Sequence, residues 1–143
     1  MGFDIETSVG FLLTKAQQSL FARFRDLLAP HGITPQQFAL LGFLWKQDRL
    51  SQVELSEKTE IDRTTLSGLI DRLVKQGLVT RLPHPDDRRS CLVALTAAGC
   101  ELEAILAPLA MRMRQQLSDG LAPGEYERLC VLLNRLRGIH YDE

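Results

Sequence analysis

Two helix starts separated by a single tight turn constrain this chain more than any other feature. Ser51 followed by Glu54 is a capping-box signal and begins a short helix through about Lys58. Thr59-Glu60-Ile61 leaves space for only a turn before Asp62. The Asp62 carboxylate is a good N-cap, able to accept from amides near Thr64 and Thr65. The helix that follows sets Leu66, Leu69, Ile70, Leu73 and Val74 on one face, at helical spacing, and Gly77 ends it. Two short helices joined this tightly, the second amphipathic with a polar outer face, form a helix-turn-helix pattern.

A hairpin follows directly. Leu78 to Leu82 and Ser90 to Leu95 read as strands around a turn at Pro83-His84-Pro85-Asp86-Asp87. In the second strand Cys91, Val93 and Leu95 alternate with Leu92 and Ala94, and both sets are apolar or small, so alternation does not assign its faces. The hairpin tip carries Arg88 and Arg89.

The helix face opposite the leucine stripe is centred on Thr64, Gly68 and Lys75, flanked by Thr65, Asp71 and Arg72, with Ser67 nearer one edge. Small hydroxyls and a glycine let a helix backbone approach base edges, and threonine methyls can touch a thymine methyl. Arg72 and Lys75 are long enough to reach phosphates. At the tip, an arginine can enter the narrow minor groove of an A/T-rich segment, with a nearby aspartate holding it. The candidate DNA contacts are therefore Arg63, Thr64, Thr65, Ser67, Gly68, Arg72, Lys75, Asp87, Arg88 and Arg89. Each feature alone also describes an ordinary solvated surface; their order points to nucleic acid.

Charge adds little. The whole chain carries a net charge of -1, and between Asp62 and Thr96 six Arg and Lys stand against four Asp. That local excess permits DNA binding without requiring it.

The flanks read as helices. Ile5, Val9, Leu12, Leu13, Ala16, Leu20, Phe24, Leu27 and Leu28 follow a helical period, with Phe11 and Phe21 off the stripe. This first helix is expected to bury more than one face, a second subunit being a natural partner, and to stop near Pro30-His31-Gly32. Thr34-Pro35 with Gln37 reads as a capping box opening a second helix to about Lys46, with Phe38, Leu41, Leu44 and Trp45 as its apolar set. Thr96 caps a long helix carrying Leu102, Ile105, Leu106, Leu109, Met113 and Leu117, in which Pro108 predicts a kink. Pro123 restarts a last helix with Tyr126, Leu129, Cys130, Leu133 and Leu136, extending toward Ile139.

With 143 residues, 45% of them hydrophobic and 24% charged, the chain suits one soluble domain. It carries no apolar run of the ~20 residues a membrane span needs, and no secretion signal is apparent. Cys91, Cys100 and Cys130 are widely spaced and odd in number, which suggests reduced thiols and a cytoplasmic location.

From Leu50 to Gly99, LSQVELSEKTEIDRTTLSGLIDRLVKQGLVTRLPHPDDRRSCLVALTAAG resembles the MarR family of bacterial winged-helix regulators. Asp87-Arg88-Arg89 in the wing and Leu95-Thr96-x-x-Gly99 after it carry the likeness. Gly32 to Phe38 is similar to the start of the family's second helix. The resemblance implies a mainly α fold with a small β-wing: a winged helix-turn-helix at about 34–96, with N- and C-terminal dimerisation helices at about 4–30 and 97–139. It implies a homodimer on a palindromic double-stranded DNA operator, most often as a repressor. Recognition helices would lie in successive major grooves and wings in flanking minor grooves. Thr64, Thr65, Ser67 and Gly68 would face bases, and Arg89, positioned by Asp87, would enter the minor groove. Where many members carry a long side chain, this chain has Gly68, so sequence preference does not transfer.

The resemblance also implies response to a small aromatic effector, for which Phe21, His31, Phe38 and Trp45 are the best-placed pocket residues. On their own patterns Phe38 and Trp45 read as core and His31 as a turn residue. Cys91, beside Arg88 and Arg89, leaves thiol-based redox sensing as an alternative, and Cys130 is expected to be packed. His31, His84 and His140 have no ligand spacing for a metal. No phosphate loop, nucleophile elbow or metal-plus-base motif suggests an enzyme or a cofactor. A winged-helix protein-interaction module without DNA binding is the rival from another class.

Overall fold

The computed structural model describes residues 2–138. Ile139 and His140 lie outside the described residues. The chain forms two compact units, Met1–Leu106 and Ala107–Glu143.

In the first unit, α1 spans Val9–Leu28. It begins later than the apolar period suggests because Ser8 caps it, its hydroxyl accepting from the Phe11 N–H at 3.3 Å. Ile5–Thr7 form a separate 3-10 turn. After a second 3-10 turn, Ala29–His31, the chain reverses through Gly32 at φ +70. α2 (Pro35–Lys46) opens on a complete capping box: Thr34 Oγ1 accepts from the Gln37 N–H at 3.2 Å, and Gln37 Oε1 accepts from the Thr34 N–H at 3.0 Å. Leu40, Leu41 and Leu44 are fully buried. Phe24, Phe38 and Trp45 form an edge-to-face row, with centroids 4.9 and 5.7 Å apart, an arrangement ring quadrupoles favour.

β1 (Leu50–Ser51) is a two-residue strand absent from the sequence reading. It leads into α3 (Gln52–Thr59), then α4 (Arg63–Lys75), β2 (Val79–Pro83) and β3 (Cys91–Leu95). The sheet is antiparallel in the order β1-β3-β2, with Leu50 opposite Val93 and Arg81 also opposite Val93. β3 is thus the central strand. Val93 and Ala94 are both buried, which explains why alternation could not assign its faces. Pro83, expected in the turn, instead ends β2 opposite Cys91.

Leu66, Leu69, Ile70 and Leu73 of α4 pack into one core with Leu28, Ile33, Leu50, Leu55, Val79 and Leu106. Val74, placed by spacing on that face, is 36% exposed, at the edge of the stripe. α5 (Ala97–Asp119) starts at Thr96, whose hydroxyl accepts from the Gly99 N–H and donates to the Gly77 carbonyl at 2.6 Å. Glycine is required at position 99: a Cβ there would lie 2.1 Å from the Leu78 carbonyl oxygen. The Gly99 carbonyl accepts from Trp45 Nε1 at 2.9 Å. The Leu95-Thr96-x-x-Gly99 motif therefore seats the start of α5 against the α4–β2 turn.

The second unit holds the C-terminal part of α5 and α6 (Glu125–Leu136). α5 continues through Pro108. Gly124, at φ +84, leads into α6, and Glu125 Oε1 accepts from the Ala122 N–H. The Arg114 guanidinium stacks over the Tyr126 ring at 5.0 Å. No α6 residue is buried within the chain. Cys130, expected to be packed, is exposed, and Ile105 on α5 is 51% exposed. Among the described residues, no helix is long and apolar enough to cross a membrane.

Candidate nucleic-acid interface

Side chains rather than backbone ladders hold the turn between α3 and α4. The Ser51 hydroxyl accepts from the Glu54 N–H and donates to Glu54 Oε1, both at 3.1 Å. The expected capping box is therefore half made: the glutamate meets the hydroxyl rather than the Ser51 amide. At the other end of α3, Glu60 takes the left-handed conformation at φ +59. The Ser56 hydroxyl donates to the Ile61 carbonyl at 2.8 Å, fixing the exit from the turn.

Asp62 then caps α4. One carboxylate oxygen accepts from the Thr65 N–H and the other from the Thr65 hydroxyl, both at 2.8 Å. These bonds, to the Thr65 amide first and its hydroxyl second, hold the Asp62 carboxyl below its ordinary value. They also change what Thr65 can offer a base. Its hydroxyl proton is already donated, leaving acceptor lone pairs and the methyl.

Arg63, Thr64, Thr65, Gly68, Arg72 and Lys75 are all exposed along α4, and Ser67 is half-buried. A Cβ built on Gly68 meets nothing within 4 Å, so the fold does not demand glycine there. Asp71, the one acid on this outer face, pairs with Arg81 of β2 at 2.6 Å. This ion pair, which the sequence reading missed, offsets a charge that would repel phosphates. Its partners are ten residues apart in different elements, so no local period reveals it.

The wing tip is held by bonds to its own backbone amides. Asp87 Oδ1 accepts from the Arg89 N–H at 2.9 Å, and the Ser90 N–H donates to the Asp87 carbonyl. Asp87 thus holds Arg89 through its main chain, whereas Asp71 on α4 pairs with the guanidinium of Arg81. His84 Nδ1 accepts from the Asp86 N–H at 3.1 Å.

Between α3, α4 and the wing lies a cleft of about 430 Å³. Four expected contacts line it, Arg63 and Ser67 from α4 with Asp87 and Arg89 from the wing, joined by Gln52, Val53, Ser90 and Cys91. Arg88 and Arg89 are both exposed, and only Arg89 is among the cleft residues. Of the expected effector residues, Phe38 and Trp45 belong to the ring row, while Phe21 and His31 are exposed.

A capped polar helix beside a basic hairpin, on a helix-turn-helix frame, defines a winged-helix DNA-binding protein. A model of the MarR family matches residues 31–90. The chain is 33% identical over 134 residues to the HTH-type transcriptional repressor NicR of Pseudomonas putida, covering 94% of this chain and 85% of that one. It is 31% identical to the multiple antibiotic resistance protein MarR of Escherichia coli, with 90% of each chain covered. Among solved structures, Bordetella bronchiseptica BpsR superposes with a TM-score of 0.90 at 32% identity, over 96% of this chain and 98% of that one. That structure was solved to explain how 6-hydroxynicotinic acid regulates BpsR's DNA binding. The chain belongs to the MarR family. It is a DNA-binding transcriptional regulator, not an enzyme.

Proposed function

We propose that this regulator is a cytoplasmic homodimeric repressor that leaves its operator on binding a small aromatic acid. The observation carrying the dimer is apolar surface that a single chain leaves uncovered. Val9, Leu12, Leu13 and Phe21 on α1, and Leu129, Val131, Leu132, Leu133 and Leu136 on α6, are each at least 36% exposed. Single exposed leucines are ordinary, but rows of them on helices with few buried residues mark an interface. In this reading residues 34–96 form the winged helix, and the helices before and after it carry the contacts to a second chain.

On DNA, Thr64, Thr65, Ser67 and Gly68 face base edges, and Arg72 and Lys75 reach phosphates. Arg63 lies where α4 meets the wing, and Arg88 and Arg89 follow the backbone into the minor groove, with Asp87 setting the tip. Two such faces in a dimer match half-sites about 34 Å apart. An effector acts by favouring a dimer whose recognition helices no longer fit that spacing. The aromatic-acid class is supported by the regulation of BpsR, and Phe21 and His31 are the expected pocket residues left accessible.

Sedimentation and operator titration test this reading together. The expected result is a dimer at micromolar concentration, one dimer per palindrome, and release on adding 6-hydroxynicotinic acid. A monomer that binds the palindrome at full affinity contradicts the dimer. Binding insensitive to both 6-hydroxynicotinic acid and benzoate contradicts the effector class.

One observation favours a second reading, thiol sensing. Cys91 is half-buried in the cleft that Arg63 and Arg89 also line, where an added oxygen or adduct would sit against the DNA face. Unchanged DNA affinity after peroxide treatment removes it.

A further inference from the structure

Gln76 caps the C-terminal end of α4, and its side-chain amide reaches far back in sequence. Its Oε1 accepts from Gln37 Nε2 at 3.0 Å, and its Nε2 donates to the Gly32 carbonyl at 2.8 Å. Gln37 is 3% exposed, and its own Oε1 accepts from the Thr34 N–H at 3.0 Å. The Thr34 amide can only donate and the Gly32 carbonyl can only accept. Those two backbone groups therefore set the orientation of both side-chain amides between them. The relay begins and ends on one corner, residues 32–34, and encloses the end of α4.

Burial of Leu66, Leu69, Ile70 and Leu73 holds α4 on the core, but apolar contact is non-directional and tolerates small rotations and shifts. A polarity-locked hydrogen-bond relay does not. We propose that Gln37 and Gln76 are positioning residues for DNA recognition, fixing the rotation and axial placement of α4 against the α1–α2 corner. Base-edge bonds need geometry within a few tenths of an ångström, whereas phosphate attraction falls off slowly with distance. Loss of the relay therefore costs discrimination between sequences more than it costs attachment to DNA. The inference rests on α4 being the base-reading helix.

The test is a double-mutant cycle of Gln37→Met and Gln76→Met. It compares binding to an operator selected from a randomised duplex pool with binding to an unrelated duplex. Each substitution is expected to weaken operator binding about three- to tenfold, the worth of one or two hydrogen bonds. Binding to the unrelated duplex should change less than about twofold, and the double variant should bind the operator no worse than the weaker single variant. Partial unfolding would lower both affinities together, so the operator-specific loss identifies positioning.

The Gln37 variant is the more informative because a side chain this buried cannot touch DNA. If it does not fold, the exposed Gln76→Met variant carries the comparison of the two duplexes alone. Operator affinity unchanged in the variants, equal losses on both duplexes, or losses that multiply in the double variant would each overturn the proposal. A parent protein that does not prefer its selected operator would instead overturn the DNA-reading role of α4.

Discussion

α4 and α6 are amphipathic helices of similar length, and one chain treats them in opposite ways. Over Arg63–Lys75 the apolar stripe closes against the core, with four side chains at most 4% exposed, and the polar face is open. Over Glu125–Leu136 the apolar stripe itself is open, with Leu136 63% exposed. Periodicity reports that a stripe exists but not what covers it. The cover of α4 is the rest of its own unit; the proposed cover of α6 is a second chain.

The sharpest way to break this comparison is to truncate the two stripes. Leu73→Ala, at a fully buried position, should lose about 2–5 kcal/mol in urea unfolding of the chain. Leu132→Ala with Leu136→Ala should instead raise the dimer dissociation constant and make the Tm more dependent on concentration. Equal, concentration-independent losses would mean that α6 is already covered within one chain.

Next in size is the seat of α5. Gly99→Ala drives a Cβ into the Leu78 carbonyl and should cost about 1–3 kcal/mol, seen as a lower Tm. Gly68→Ala should do the opposite. Its Cβ meets open space, and alanine favours a helix interior by about 0.8–1.0 kcal/mol over glycine. If the backbone at Gly68 approaches DNA, this more stable variant binds the operator more weakly. Rising stability with unchanged operator affinity would place Gly68 off the interface.

The smallest effect concerns pH. The Asp62 carboxyl titrates below the usual 3.8 because Thr65 donates to its ionised form. Its contribution to stability is complete above that ordinary value and is lost as pH falls through the lowered folded value. Asp62→Asn keeps a capping oxygen without the charge, and should flatten this acid-side slope of the Tm while leaving the Tm near neutrality almost unchanged.

Much of the fold was legible because local chemistry marks it. Thr34, Ser51, Asp62 and Thr96 cap where their spacing indicated, and Gly77 ends α4 at φ +75. What was missed depends on distant partners. β1 exists only because Leu50 and Ser51 pair with Val93 and Leu92, and two residues carry no alternation of their own. Arg81–Asp71 and Gln37–Gln76 join different elements across intervals without a period. Within the candidate site, which residues lie near one another was more legible than how they are held. Arg63, Ser67, Asp87 and Arg89 do share one cleft, yet neither the backbone role of Asp87 nor the different settings of Arg88 and Arg89 could be read from DDRR.

The central claim is that α4 and the wing together form the DNA face, and salt dependence tests it most directly. Operator affinity of the parent chain is measured across salt concentrations beside Arg88→Ala/Arg89→Ala. The parent should show a log–log slope of several units, and the double variant a slope smaller by about two, with dimer and Tm unchanged. An unchanged slope and affinity in the double variant would show that the wing does not touch DNA.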